Sequence, residues 1–276
     1  MKSATHKAAT DCLQKSGRTI QPFIDAFENY WLFDSVVDFG PTDSTGWHDL
    51  GFSNIDAQVT FSPHTKNEGV LQQVADDILS AKSSVFYSLA FLNQTGGAVT
   101  EAIEAVTKKE GIFVYGISDK RKGGLDMHLP NGKIAPVYVE NLQGNLPEPF
   151  RSEPTALSSN NMGTRMHHKF VVIDFDKPTA RVYMGSYNFS KPADNENGEN
   201  LLLIKDRRIA VSYMIQALSL FDHYHFRVLQ SKSEKSEATG KPKPIQLKPA
   251  PAGGKKPWWD EDYVNPRKIL DRELFA

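Results

Sequence analysis

Between Met166 and Asn188 the chain carries reactive side chains at a spacing that a sheet would bring together: Met166-His-His-Lys-Phe-Val-Val-Ile-Asp174, then Gly185-Ser-Tyr-Asn188. On a strand, alternate residues share a face. His167 and Lys169 therefore point one way, and His168 and Phe170 the other. Ser186 and Asn188 share a face on the neighbouring segment. Gly185 has no Cβ, so a ligand can approach its backbone closely. Imidazole, ammonium, hydroxyl and carboxamide from two adjacent strands suit a tetrahedral anion such as a phosphate. They offer donors for its oxygens and a nucleophile for its phosphorus. Taken singly, a strand histidine is more often structural, and a lysine in an apolar run often faces solvent. The joint pattern carries the weight.

Elements with clear periodicity surround this window. Met1 to Phe33 reads as an amphipathic helical segment, with Ile20, Phe23, Ile24, Phe27 and Trp31 on one face. Asp34 to Asn54 is a connector with turn signals at Gly40-Pro41 and Asp43-Ser44. A strand at Ala57–Phe61 ends at Ser62-Pro63. A helix marked by Leu71, Val74 and Ile78 follows, then a strand at Val85–Phe91. A second helix, marked by Val99, Ile103 and Val106, stops at Gly111 and leads into strands at Ile112–Gly116 and Ile134–Val139. This β-α-β-α-β order predicts an α/β fold: a mixed, mainly parallel sheet with helices on both faces. Leu142 to Thr164 reads as a long loop. Strands at Met166–Asp174, Arg181–Gly185 and Asn200–Lys205 follow, and Val211, Met214, Leu218 and Phe221 mark a long closing helix. Gly123-Gly124, after Lys120-Arg121-Lys122, lacks the spacing of a phosphate loop and reads as a turn.

Composition narrows the function. At 276 residues with 39% apolar content, the chain can bury a sizeable core, which excludes global disorder. No apolar run approaches a membrane span, and the N-terminal residues lack a signal-peptide stretch, so a cytoplasmic location is expected. The single cysteine, Cys12, excludes an internal disulfide and a multi-cysteine zinc site. Thirty-two basic residues balance 33 acidic ones, so any grip on a long nucleic acid must come from local patches. From Ser231 to Pro257, seven lysines and five prolines stand against two glutamates. That composition predicts an extended, solvated linker. Beyond it, Trp258-Trp-Asp-Glu-Asp-Tyr263 is expected to dock back on the domain, since paired tryptophans are costly to leave in water. Three parts result: residues 1–54 (helical segment and connector), 55–230 (the domain with the reactive window) and 231–276 (linker and tail).

His167-x-Lys169-x4-Asp174 followed by Gly185-Ser186-x-Asn188 resembles the HKD signature of the phospholipase D superfamily. The resemblance extends from about Ala57 to Phe226 and includes Phe61-Ser-Pro63 and Glu199-Asn200 before an apolar strand. One departure is the segment between Asp174 and Gly185, longer than the family commonly has and read here as a longer hairpin. The resemblance implies that His167 is the nucleophile and forms a phosphohistidine. Lys169, Ser186 and Asn188 would bind the non-bridging oxygens and neutralise transition-state charge. Glu199 would orient the imidazole. Asp174, on the face opposite His167, is expected to be structural. No metal and no other cofactor is required, because Lys169 and its counterparts supply the positive charge.

The family's mechanism needs a second histidine as general acid, and the chain holds no second motif. His64-Thr-Lys66 has the first spacing, but Leu71 stands where Asp is required, so His64 reads as a loop residue. A homodimer, or a second HKD lobe, would complete the site. The first substrate expectation is a glycerophospholipid at a membrane surface, cleaved to phosphatidic acid and an alcohol. The lysine-rich segment could attract anionic lipid, although a solubilising linker explains it as well. The alternative is a nuclease, with Arg151 and Arg165 beside the window but no basic–aromatic stripe for stacking bases. A third reading is a half-site acting only as a binding module, because general acid help is worth ~10²–10⁴ in rate.

Overall fold

The computed structural model describes residues 20–33, 35–65, 69–90, 92, 97–119, 125–128, 134–137, 166–238, 240 and 249–276. Helix α1 (Gln21–Leu32) and a short α2 (Val36–Phe39) lead into strands β1 (His48–Asp49) and β2 (Asp56–Phe61). Then come α3 (Leu71–Leu79), β3 (Ser84–Leu89), α4 (Ala98–Thr107), β4 (Phe113–Asp119), β5 (Leu125–His128) and β6 (Ile134–Val137). The later half is β7 (Lys169–Ile173), β8 (Arg181–Gly185), α5 (Lys191–Asn195), β9 (Asn200–Lys205), α6 (Arg207–Ala238), α7 (Glu261–Val264) and α8 (Pro266–Leu274).

The strands form one mixed sheet in the order β1-β2-β9-β8-β7-β3-β4-β5-β6. Helices cover both faces. On one, α3 and α4 bury Val74, Ile78, Val99 and Val106 against Val85, Tyr87, Val171, Ile173 and Tyr183. On the other, α6 packs Ala210, Met214, Ala217 and Phe221 against Phe86, Phe170, Val172 and Val182. Further along, α1 and α2 close over β2, with Ala26 and Phe39 against Ala57, Val59 and Phe61. The period-2 alternation of β7 is what feeds two cores at once: Val171 and Ile173 enter one, Phe170 and Val172 the other.

The α/β layering follows the sequence pattern, but the expected predominance of parallel strands does not. Among the described strands only β3 and β4 pair in parallel, across helix α4, and the other pairings are antiparallel. The alternation of strand and helix reveals element types, not their lateral order. Strands β7, β8 and β9 arrive late and insert between β2 and β3, so β2 pairs β9 antiparallel. Strand β5 lies where the sequence reading placed none.

Three further expectations change. Helix α6 continues through Ala238, so the residues just after Ser231 are helical and the extended linker cannot begin there. In α1 the buried face is Pro22, Ile24 and Ala26, while Phe27 and Trp31 are exposed. Tyr30 stacks on Phe39 with centroids 4.1 Å apart, which turns the helix by part of a turn from the face expected. The tail does return to the domain, and its tryptophans stay partly exposed as it does so. Phe275 makes the contact, 5.3 Å from the Phe113 ring and 5.9 Å from that of Phe175. The turn expected at Gly123-Gly124, the loop at 142–164, and Arg151 and Arg165 lie outside the described residues.

Candidate active site

Register places the reactive residues at one end of the sheet. Lys169, first in β7, pairs with Leu89, last in β3, and Ala90 N–H donates to His168 O at 2.9 Å. Gly185, last in β8, pairs with Leu201 of β9. A Cβ at Gly185 would lie 2.2 Å from Asn200 O, so only glycine allows the chain to turn off β8 this close to β9. The Ser186 hydroxyl accepts Asn200 N–H at 3.0 Å, which fixes that turn. Neighbouring β2 ends beside them: Ser62 N–H donates to Glu199 O at 3.0 Å, and Glu199 N–H donates to Ser62 Oγ at 3.2 Å.

His167 is exposed and Lys169 is buried at 8% exposure. The Lys169 Nζ stands 2.8 Å from His167 Nε2 and donates to His167 O at 3.1 Å. An ammonium has only protons to give, so Nε2 is the accepting nitrogen and its lone pair faces the Lys169 ammonium. Burial pushes the Lys169 ammonium below the ordinary lysine range, while the Glu199 carboxylate works the other way. Burial, then the neighbouring Lys169 and His167, also lowers His168. Asn188 is half-buried, and its Oδ1 is buried without a hydrogen-bond partner among the described residues. Such an orphaned polar atom marks a place where a ligand or water completes the bonding.

Asp174 is not part of this group. It lies beyond the far end of β7, 1% exposed, in the left-handed region at φ 55°. Its Oδ1 accepts Lys82 N–H at 2.8 Å and Ser83 N–H at 2.9 Å, and its Oδ2 accepts the Thr179 hydroxyl at 3.0 Å. The long hairpin noted in the sequence runs from Asp174 to Ala180, and the β7–β8 register continues intact beyond it. The structure thus brings His167, Lys169, Ser186, Asn188 and Glu199 to one sheet end and puts Asp174 at the other.

A family model described as cardiolipin synthase, PLD-like domain, matches residues 74–219, more than half of the chain. The chain belongs to the phospholipase D superfamily. It is 46% identical over 124 residues to a phospholipase D of Rickettsia prowazekii, covering 42% of this chain and 57% of that protein. It is 30% identical over 83 residues to a mitochondrial cardiolipin hydrolase of Chlamydomonas reinhardtii, covering 30% of this chain and 35% of that one. The chain therefore spans less than two thirds of the length of these curated relatives. Among solved structures, Nuc of Salmonella typhimurium, a phospholipase D family member, is similar at 22% identity and a TM-score of 0.38, over 62% of this chain and 96% of that one.

Several residues of this phospholipase D-type lobe escape a sequence reading. Tyr30 of α1 donates its hydroxyl to Ser62 O and lies 3.4 Å from Glu199 O, so the N-terminal helix buttresses the site. Burial, with the Glu199 charge nearby, holds the Tyr30 phenol well above its usual range, so it stays a donor. His64 lies in the loop after Pro63, as the sequence reading has it, but is buried there. It is 2% exposed, with Nε2 3.1 Å from Thr60 Oγ1 and Nδ1 2.9 Å from Asp194 Oδ1. Only the His64-Thr-Lys spacing hinted at it, and that pointed to the wrong role.

Proposed function

We propose that this lobe is a metal-independent phosphodiesterase that hydrolyses glycerophospholipids to phosphatidic acid and an alcohol at a membrane surface. The observation that carries the reading is the buried Lys169 ammonium 2.8 Å from the accepting Nε2 of an exposed imidazole. It sits at the sheet end where Ser186 and the unsatisfied Asn188 carboxamide also lie. A phosphodiester seated there exchanges the Lys169–His167 contact for contacts to its own non-bridging oxygens. Nε2 attacks phosphorus, an N–P bond forms, the P–O bond to the alcohol breaks, and the alcohol leaves with a proton. Water then attacks the phosphohistidine and gives its proton to the group that protonated the alcohol, its oxygen bonds to phosphorus, and the N–P bond breaks to return His167. Lys169, Ser186 and Asn188 hold the oxygens through both steps, and Glu199 orients the imidazole.

The proton for the leaving alcohol requires a second acid. Buried His64 cannot reach a substrate, so we assign that role to the His167 of a second copy across a two-fold axis. A lipid substrate is favoured over nucleic acid by the near-neutral charge balance and by the similarity to a phospholipase D and a cardiolipin hydrolase. Headgroup release from mixed phospholipid vesicles in EDTA, with His167→Asn as the control, tests the reading. We expect release that vanishes in a folded His167→Asn protein. Release that survives the substitution removes His167 as nucleophile. Cleavage of DNA or RNA without headgroup release replaces the lipid with nucleic acid, and strict metal dependence overturns the mechanism.

A further inference from the structure

Beneath the exposed donors lies a buried polar cluster that the reaction does not use directly. Asp194, 4% exposed, gathers contacts from three segments on one oxygen. Its Oδ1 accepts the Tyr187 hydroxyl at 2.7 Å, accepts Val70 N–H at the start of α3 at 3.2 Å, and lies 2.9 Å from His64 Nδ1. A Cβ at Gly69 would sit 2.1 Å from Asp194 Oδ2, so a residue without one is what lets the carboxylate reach this place. The backbone repeats the link: His64 N–H donates to Asp194 O at 2.6 Å, and the Asn195 carboxamide donates to His64 O at 3.1 Å.

His64 is gripped on its other side as well. The Thr60 hydroxyl gives its proton to Thr45 O at 2.8 Å, so toward His64 Nε2 it acts as acceptor, and Nε2 carries a proton. Tyr187 is 1% exposed, and its ring lies edge-on to Phe189 at 5.7 Å. Burial and the Asp194 and Glu199 charges keep the Tyr187 phenol far above its usual range, so it remains a donor. In sequence, Tyr187 stands between Ser186 and Asn188. Whatever fixes Tyr187 fixes both oxygen-binding candidates. Likewise, His64 follows Ser62, whose hydroxyl and N–H hold the Glu199 backbone.

We propose that Asp194 and His64 are positioning residues: their buried contact locks the Ser186–Asn188 segment to the Ser62–Glu199 segment and so sets where the phosphate oxygens are held. The inference rests on the reading of this sheet end as a phosphate site. The tie is carried by the hydrogen bonds from His64 N–H to Asp194 O and from the Asn195 carboxamide to His64 O, with the His64 ring held close against the Asp194 carboxylate, and a buried charged group has few alternative partners. Displacing oxygen-binding groups by about 1 Å costs on the order of 10²-fold in rate.

The test compares wild type with Tyr187→Phe, His64→Gln and the double variant. Tyr187→Phe keeps the ring and removes only the hydroxyl, so it retains the packing. Inorganic phosphate binding is measured by calorimetry, and kcat and KM are measured on bis(p-nitrophenyl) phosphate in EDTA, at a temperature where circular dichroism shows each protein folded. We expect each single variant to bind phosphate about tenfold more weakly and to lose about ten- to a hundredfold in kcat. The double variant should lose no more than the worse single one, as residues acting through one clamp do. Folded single variants with wild-type phosphate affinity and kcat, changed only in melting temperature, overturn the proposal and leave a structural cluster. Fully additive losses overturn the shared clamp. Wild-type protein that binds no phosphate overturns the phosphate-site reading itself, and this inference with it.

Discussion

At its start, strand β7 presents a buried ammonium to an exposed imidazole, with a carboxamide oxygen nearby that has no partner among the described residues. Just past its end, Asp174 is sealed from solvent and receives backbone and hydroxyl protons from the α3–β3 turn and the hairpin. One short signature thus spans two environments. At the first end polar groups are held with bonding capacity left over, which is what a ligand needs. At the second the bonding is internal, so the carboxylate joins two chain reversals and fixes the frame. Spacing within a motif does not mean that its residues meet. Strand rise is about 3.3 Å per residue, so Lys169 and Asp174 are separated by the length of the strand.

Substitutions at the two ends should separate accordingly. The largest effect is expected from Lys169→Met, which removes the ammonium: a loss of roughly 10²–10³ in kcat, with a melting temperature held or raised because the buried charge is gone. A fall in melting temperature with full activity would reverse the comparison. In the wild type, the ammonium form is present below its pKa, and burial lowers that pKa. The alkaline limb of the pH–rate profile should therefore fall before the ordinary lysine value of about 10.4, and a limb at or above it would place Lys169 in a more solvated setting. At the other end, Asp174→Ala leaves buried N–H groups of Lys82 and Ser83 without their acceptor. We expect a loss of about 2–4 kcal/mol in urea unfolding, with the remaining folded protein active. The smallest effect sharpens this further. Thr179→Val deletes one donor to Asp174 Oδ2 and should cost about 1 kcal/mol with kcat unchanged; a change in kcat would mean that the two ends are coupled.

Much of this was legible beforehand because it is periodic. Strands β8 and β9 fall at the residues read from the sequence, Arg181–Gly185 and Asn200–Lys205, where a short apolar run is uninterrupted. The helices built on Leu71-Val74-Ile78 and Val99-Ile103-Val106 are present for the same reason. Strand β5 was missed because it is short and follows a glycine pair read only as a turn. The face of α1 was misjudged because five large apolar residues outvoted Ala26, whereas the groove beside β2 admits Ala26 at 1% exposure and leaves Trp31 outside. The tail was judged by its tryptophans, yet Phe275 finds the gap among Phe86, Phe113 and Phe175.

The amino-acid sequence by itself determined where most of the strands and helices run, and that the side chains of His167, Lys169, Ser186 and Asn188 are of types that suit a tetrahedral anion. Those are local properties, written in alternation, period and side-chain type. Only the tertiary structure decided that β9, β8 and β7 insert between β2 and β3, which sets mainly antiparallel pairing and brings Ser62 against Glu199. It also decided that Asp174 closes the opposite end and that His64 is spent on Asp194. Those outcomes depend on contacts between residues far apart in the sequence, such as Lys82 with Asp174, 92 positions on, and Ser62 with Glu199, 137 positions on. Neither spacing nor composition encodes such contacts, because many strand orders satisfy the same local pattern and packing selects among them.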